Sequence, residues 1–245
     1  MSKKKLKGFK PYLFDFLVIV LGVTVSFWFN QLAIKRNDNK ERIKVLTSIE
    51  KEVYEIKKYC DERLAAWNDD IALYSELISS EFDIDEMIKI TSSKGRVEFN
   101  LIYYRDFEPP MNRYTSMINS GNIKFVRSES VKEALTRLHT LNFSRLKTSV
   151  EYEKSLKEQL IKVLTEEHPK IVLAAEDNSV SINSYANLLH ESINKDEELR
   201  SNLTIQLKYF ETRVSLLNLY MYTFCLLYTS PSPRDLSTSR MPSSA

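Results

Sequence analysis

The sequence predicts an all-α protein: an N-terminal transmembrane helix followed by an elongated bundle of three long helices with shorter connecting helices. Three observations predict it. Residues 12–34 are almost continuously apolar. Farther on, apolar residues recur every three or four positions over three long stretches, the period of helices packed along their length. Only 4 Gly and 7 Pro occur among 245 residues, which favours long helices over a turn-rich β fold. The chain divides into a basic tail (1–11), the anchor (12–34), the helical bundle domain (35–224) and a C-terminal tail (225–245).

The anchor reads YLFDFLVIVLGVTVSFWFNQLAI. At 1.5 Å per residue it reaches about 34 Å, enough to cross a hydrocarbon core of about 30 Å. Only a helix satisfies its own backbone groups there. The run is too long for a cleaved signal peptide, and Asn30-Gln31-Leu32-Ala33 is a poor cleavage site. A soluble core helix would show a polar face, and residues 16–29 show almost none. Tyr12, Phe14, Phe27 and Trp28 suit the two interfaces. Asp15 is the only formal charge in the run. Its shallow depth favours contact with the headgroup layer or Lys10 over a proton site or a partner-helix contact. Gly22 stands without a second glycine four residues away, a weak dimerisation signal. Lys3, Lys4, Lys5, Lys7 and Lys10 precede the anchor, and Lys35, Arg36, Lys40, Arg42 and Lys44 follow it. The two flanks nearly tie. The dense N-terminal charge favours an N-terminus inside and a C-terminal domain outside the cytoplasm.

Residues 37–40 form a polar hinge in composition, through which the helix can run unbroken. Beyond it, Leu46, Ile49, Val53, Ile56 and Cys60 follow 3-4-3-4 spacing, and Leu64, Trp67, Ile71, Tyr74 and Ile78 repeat it. A coiled-coil stalk and an intramolecular bundle share this pattern. Glu50, Lys51, Glu52, Glu55, Lys57 and Lys58 are expected on the wet face. Residues 82–90 read as a short helix or turn, 91–95 as a loop, and 97–104, rich in β-branched and aromatic residues, as a short extended segment. Pro109-Pro110 is expected to start a helix over 111–119, ended by Gly121 in a left-handed cap. Ser128 is a candidate N-cap, with Glu129 in the favourable first turn. The next helix is expected from 129 to about 164, with Val131, Leu135, Leu138, Leu146, Val150, Leu156, Leu160 and Val163 inside, ended by His168-Pro169. Residues 170–183 read as irregular, and Ser184 as the cap of a small helix containing Tyr185, Leu188, Leu189 and Ile193. Asp196 opens the last long helix, marked by Leu199, Leu203, Leu207, Phe210, Val214, Leu217, Met221 and Phe224. No solenoid-type repeat is visible.

Residues 225–235 (CLLYTSPSPRD) and 239–245 (SRMPSSA) resemble one reading frame of a sequencing-library adapter, with Leu236-Ser237-Thr238 in the place of its barcode. This tail is expected to be non-native and disordered, with the natural end of the chain lying beyond residue 224 and open to a second span. Cys60 is then the only native cysteine, so neither an intramolecular disulfide nor a cysteine metal site is expected.

Residues 35–224 hold 28 Lys+Arg against 31 Asp+Glu, a balance of −3, with no basic surplus to suggest nucleic acid. His139, His168 and His190 stand isolated, without metal-ligand spacing. Phosphate-binding glycine loops and nucleophile elbows are missing. Asp69-Asp70, Asp83/Asp85 and Glu166-Glu167 read as solvated helix-end carboxylates. No catalytic, cofactor-binding or metal residue is assigned, and no cofactor is expected. The richest stretch is 105–126 (RDFEPPMNRYTSMINSGNIKFV), expected as a corner packed by Phe107, Tyr114, Met117 and Phe125 with Arg113 paired to a carboxylate, or as a recognition surface.

Taken together, Asp15, residues 18–25 with Gly22, Asn30-Gln31 and the basic stretch 35–42, then 114–121 and 131–138, resemble an uncharacterised family of single-pass signal-anchor membrane proteins found in Bacteroidota. This chain has Asp15 where that family usually carries Glu, and lacks the Trp expected after the amide pair. The resemblance implies a bacterial inner-membrane location, with the C-terminal domain periplasmic, and transfers no mechanism. The expected function is non-enzymatic binding or scaffolding at the envelope, contacting membrane lipid through 12–34 and open to a protein partner or homo-oligomer. The alternative is the extracytoplasmic sensor domain of a truncated signalling protein.

Overall fold

A computed structural model describes residues 9–229; the basic tail through residue 8 and the last sixteen residues lie outside them. The described chain is all-α. Helix α1 (Phe9–Ile78) runs 70 residues without interruption, about 105 Å at 1.5 Å per residue. It carries the polar stretch 37–40 straight through. Asn and Asp cost only a few tenths of a kcal/mol each inside a helix, and residues 37–40 contain neither Gly nor Pro. Near the N-terminus α1 contains a stretch long and apolar enough to cross a membrane, with none of its most apolar window buried. The hydroxyl of Thr24 in that stretch donates to the Val20 carbonyl at 2.7 Å, so it needs no lipid partner.

From Val45 onward α1 packs into a bundle with two other long elements. One is α5 (Glu129–Thr136) joined through a π-helical turn (Arg137–Leu141) to α6 (Asn142–Glu166). The other is α9 (Glu197–Thr229). Side-chain rungs fix their directions. Glu52 meets His139 and Tyr74 meets Lys157, so α1 and α6 run parallel. Asn142 meets Thr223 and Glu153 meets Arg213, so α9 returns antiparallel. Apolar residues gather in two clusters. The one away from the apolar end of α1 centres on Leu73, Met87, Leu160, Leu189 and Leu203. The other centres on Ile56, Trp67, Phe107, Leu146 and Leu217.

The shorter elements depart from the sequence reading in identifiable ways. Residues 97–102 are not extended: α3 (Lys94–Ile102) is a helix, capped by Ser93 accepting from the Arg96 amide, and Tyr103 after it has extended backbone. Val97, Asn100 and Leu101 are buried on one face, and that burial overrides strand propensity. Pro109 and Pro110 precede α4 (Asn112–Asn119) instead of starting it. Residues 170–183 are largely ordered helix. Pro169 opens α7 (Pro169–Glu176), its missing N–H costing nothing at the first position. Ser181, not Ser184, caps α8 (Ile182–Lys195), accepting from the Ser184 amide at 3.1 Å. The caps expected at Ser128 and Asp196 are present, and Asp83 supplies one that the sequence reading did not assign. Asp83 caps α2 (Ile84–Ile90), Ser128 caps α5, and Asp196 accepts from the Glu198 and Leu199 amides at the start of α9. Helix α9 continues to Thr229, five residues into the stretch expected to be disordered, and Leu227 packs against the bundle.

Gly121 has φ +69°, and a Cβ there would meet nothing within 4 Å. Its requirement is purely conformational. Gly121→Ala should therefore cost about 1 kcal/mol of stability without loss of helicity. Urea unfolding followed by circular dichroism in detergent checks this.

Candidate functional site

Between the two apolar clusters lies a layer of buried charge, built by the same stripes that build the core. On α6 the inner positions run Leu146, Val150, Glu153, Lys157, Leu160; on α9 they run Phe210, Arg213, Leu217, Tyr220, Phe224. Charged residues thus occupy core positions in unbroken 4-3-4-3 and 3-4-3-4 spacing. Arg213 and Tyr220 are fully buried, while Val214 and Met221 beside them are half-buried against the second apolar cluster. From α1 come Asp70 and Tyr74, from α3 Asn100, and from the loop after it Arg105.

Glu153 and Arg213 form a fully enclosed pair, Oε2 to Nη1 2.6 Å. The guanidinium lies 4.9 Å from the Trp67 ring and 5.3 Å from that of Phe210, so aromatic faces replace part of its lost hydration. Its nitrogens make no well-aligned hydrogen bond, leaving proximity and the rings to hold it. Lys157 donates to the Tyr74 hydroxyl and to the Asn100 carbonyl. Tyr74 in turn donates to the Asn100 carbonyl (2.9 Å) or to Gln206 Oε1 (3.1 Å). Arg105 grips Asp70 with two hydrogen bonds of 2.9 and 3.2 Å and reaches Asn100 Oδ1 at 3.1 Å.

Burial dominates the protonation of this layer. It pushes Lys157 down to about 8, against the pull of Glu153 and Asp70. Burial also raises Glu153, opposed by Arg213 and Lys157, and raises Tyr74 with help from Glu153 and Asp70. With every group ionised, three cations face two carboxylates. Side chains of Tyr74, Glu153, Lys157 and Arg213 are sealed from solvent, so the layer acts on the packing of the helices.

A second buried polar centre lies nearer the apolar end of α1. Glu52, expected on the wet face, is fully buried. Its carboxylate accepts from the Arg113 and Tyr114 amides at 2.5 and 2.9 Å, capping α4, whose own N-cap residue Met111 supplies no side-chain bond. The His139 ring stacks on Tyr114 at 3.9 Å. Its Nε2 lies 3.0 Å from Glu52 and its Nδ1 2.8 Å from the Leu135 carbonyl. Both ring nitrogens therefore face oxygen atoms of other groups, which fixes the ring between α1 and the α5–α6 helix. The π-helical turn Arg137–Leu141 contains His139, consistent with the habit of such turns of marking special side chains.

The other singled-out residues have structural partners. Arg113 pairs with Glu55 as expected, at 2.5 Å, and holds that carboxylate below its usual range. Phe107, Tyr114 and Met117 pack the corner, and Phe125 is half-buried. Tyr59 clasps the corner, donating to the Asp106 carbonyl and accepting from the Glu108 amide. Asp69 pairs with Arg96. Cys60 is fully buried, and burial pushes its thiol up to about 12. His190 stacks on Phe82 at 4.2 Å. His168 is not isolated: its Nε2 lies 2.6 Å from Asp196 Oδ2, and with Glu167 they place three ligand atoms within 4.8 Å. That grouping could hold a divalent ion. Asp196 already serves as a helix cap, and the His168 hydrogen bond keeps it below its ordinary value. A cleft of about 170 Å³ lies by Leu101, Leu164, Ile171 and Tyr185. At its side Glu98 is raised by burial and by Glu176.

No protein family, curated protein or solved structure matches this chain.

Removing one partner from the charged layer should cost more than removing them all. Arg213→Ala should destabilise by about 3–5 kcal/mol, whereas combined Glu153→Leu, Lys157→Met and Arg213→Met should be neutral or stabilising by about 1–4 kcal/mol. Urea unfolding of both variants decides it. Lys157 also predicts a pH dependence. Its folded value of about 8 lies below the ordinary 10.5, so between them the unfolded chain binds more proton and stability rises with pH. From pH 8 to 9.5 the gain should be about 1–2 kcal/mol, and Lys157→Met should lose it in matched unfolding curves.

Proposed function

We propose that this protein is a single-pass membrane-anchored envelope protein whose helical bundle binds or scaffolds a protein partner close to the bilayer. The supporting observation is the continuity of α1. One uninterrupted helix carries both the exposed apolar stretch and the inner stripe of the bundle, so any anchoring of the first holds the second at a set height and angle. Inside the bundle the Arg105–Asp70 and Glu153–Arg213 pairs and the Glu52 cap of α4 tie separate segments together, which suits a rigid binding body. The N-terminal lysines support an N-terminus inside the cytoplasm and a bundle outside it.

On this reading the chain resists alkaline extraction from membranes, and a periplasmic reporter fused after Phe224 is active. An inactive fusion expressed at normal level reverses the orientation; release by alkali removes the anchor.

A further inference from the structure

Charge is sorted along the long axis of the bundle. Residues 35–46 hold five basic side chains against Asp38 and Glu41, and residues 122–132 hold three against Glu129. At the opposite end, residues 76–90 hold five acidic side chains against Lys89, and 191–200 hold four against Lys195 and Arg200. The fold brings the two basic segments together. His139 is level with Glu52. Counting back along α5 at 1.5 Å per residue places Ser128 about 16 Å lower, level with the Glu41–Arg42 turn of α1. Ile123 and Val131 pack in the same cluster as Val45 and Leu46. Arg42 itself lies about 12 Å along the helix from Ile34, the last residue of the apolar stretch.

Lys40, Arg42, Lys44, Lys124, Arg127 and Lys132 therefore form a collar around the point where α1 leaves the apolar stretch. Lys132 pairs with Glu129 at 2.7 Å. Among the described residues Lys40, Lys44, Lys124 and Arg127 have no carboxylate at ion-pair distance, and all four are exposed. Topology signals reside within about 15–20 residues of a span. Lys124, Arg127 and Lys132 lie about ninety residues or more beyond it in the chain and reach it only through tertiary structure, so orientation during insertion does not account for them.

We propose that this collar docks on anionic lipid headgroups of the leaflet from which α1 emerges, with the acidic end of the bundle held away from the surface. The proposal rests on the membrane anchor proposed above. Each basic side chain near an anionic surface strengthens attachment about five-fold, and the collar height lies within the reach of long side chains plus a Debye length of about 8 Å.

The test places the purified full chain in lipid nanodiscs of phosphatidylcholine alone or with about 30% phosphatidylglycerol, and follows lysine acetylation by mass spectrometry. In anionic discs Lys124 and Lys132 should react at least about three-fold more slowly, while Lys89 and Lys195 at the far end are unchanged; about 1 M salt should abolish the difference. Lys124→Glu with Arg127→Glu should return Lys132 to its rate in phosphatidylcholine. A chain that inserts but reacts equally in both lipids overturns the collar alone. Failure to insert overturns the anchor and the collar with it.

Discussion

The bundle depends on how it compensates the charges at its centre. Moving an ion into a protein interior costs several kcal/mol even after relaxation, and Glu153, Lys157 and Arg213 are all nearly sealed from water. The surrounding structure supplies what water would have supplied. Arg213 gains Glu153 and two aromatic faces, and Lys157 gains a phenol oxygen and a main-chain carbonyl. These partners come from four different segments. A slip of one residue along any of these helices would part at least one ion from its partners, and an uncompensated buried ion is strongly destabilising.

The Glu52 centre applies the same logic to a corner. Met111, the N-cap residue of α4, has no side-chain acceptor for the amides at the start of that helix. A carboxylate from α1 satisfies two of them while holding His139 on the π-helical turn. One side chain thus ties α1, α4 and the α5–α6 helix together, on the same side of the bundle as the collar of basic residues. Register, corner and charge sorting all refer back to α1, because among the described residues it alone joins the apolar stretch to both apolar clusters of the bundle.

Much of this was readable in advance. The caps at Ser128 and Asp196, the left-handed Gly121 and the three long stripes each follow from local chemistry, where a residue acts on its own backbone within one turn. Misreadings arise where a distant neighbour decides. Val97 and Phe99 favour strand until α3 packs on α6 and α7, and Ser184 is as good a cap as Ser181 until the preceding backbone is placed. The buried ions of α6 carried a signal that charge concealed: Glu153 and Lys157 continue the 3-4 spacing from Val150 to Leu160 without a gap. Reading period before polarity would have found them. Glu52 and Arg213 had weaker signals, since their neighbours Val53 and Val214 already filled the stripes.

By itself the sequence determined the helical class, the apolar N-terminal stretch and most helix ends. These are set by periodicity, composition and groups within a turn of one another. Tertiary structure alone decided which charges went inside, which carboxylate caps α4, and that lysines far apart in the chain share one end of the bundle. Those outcomes depend on desolvation and on pairing between segments distant in sequence, and neither exists until the helices meet.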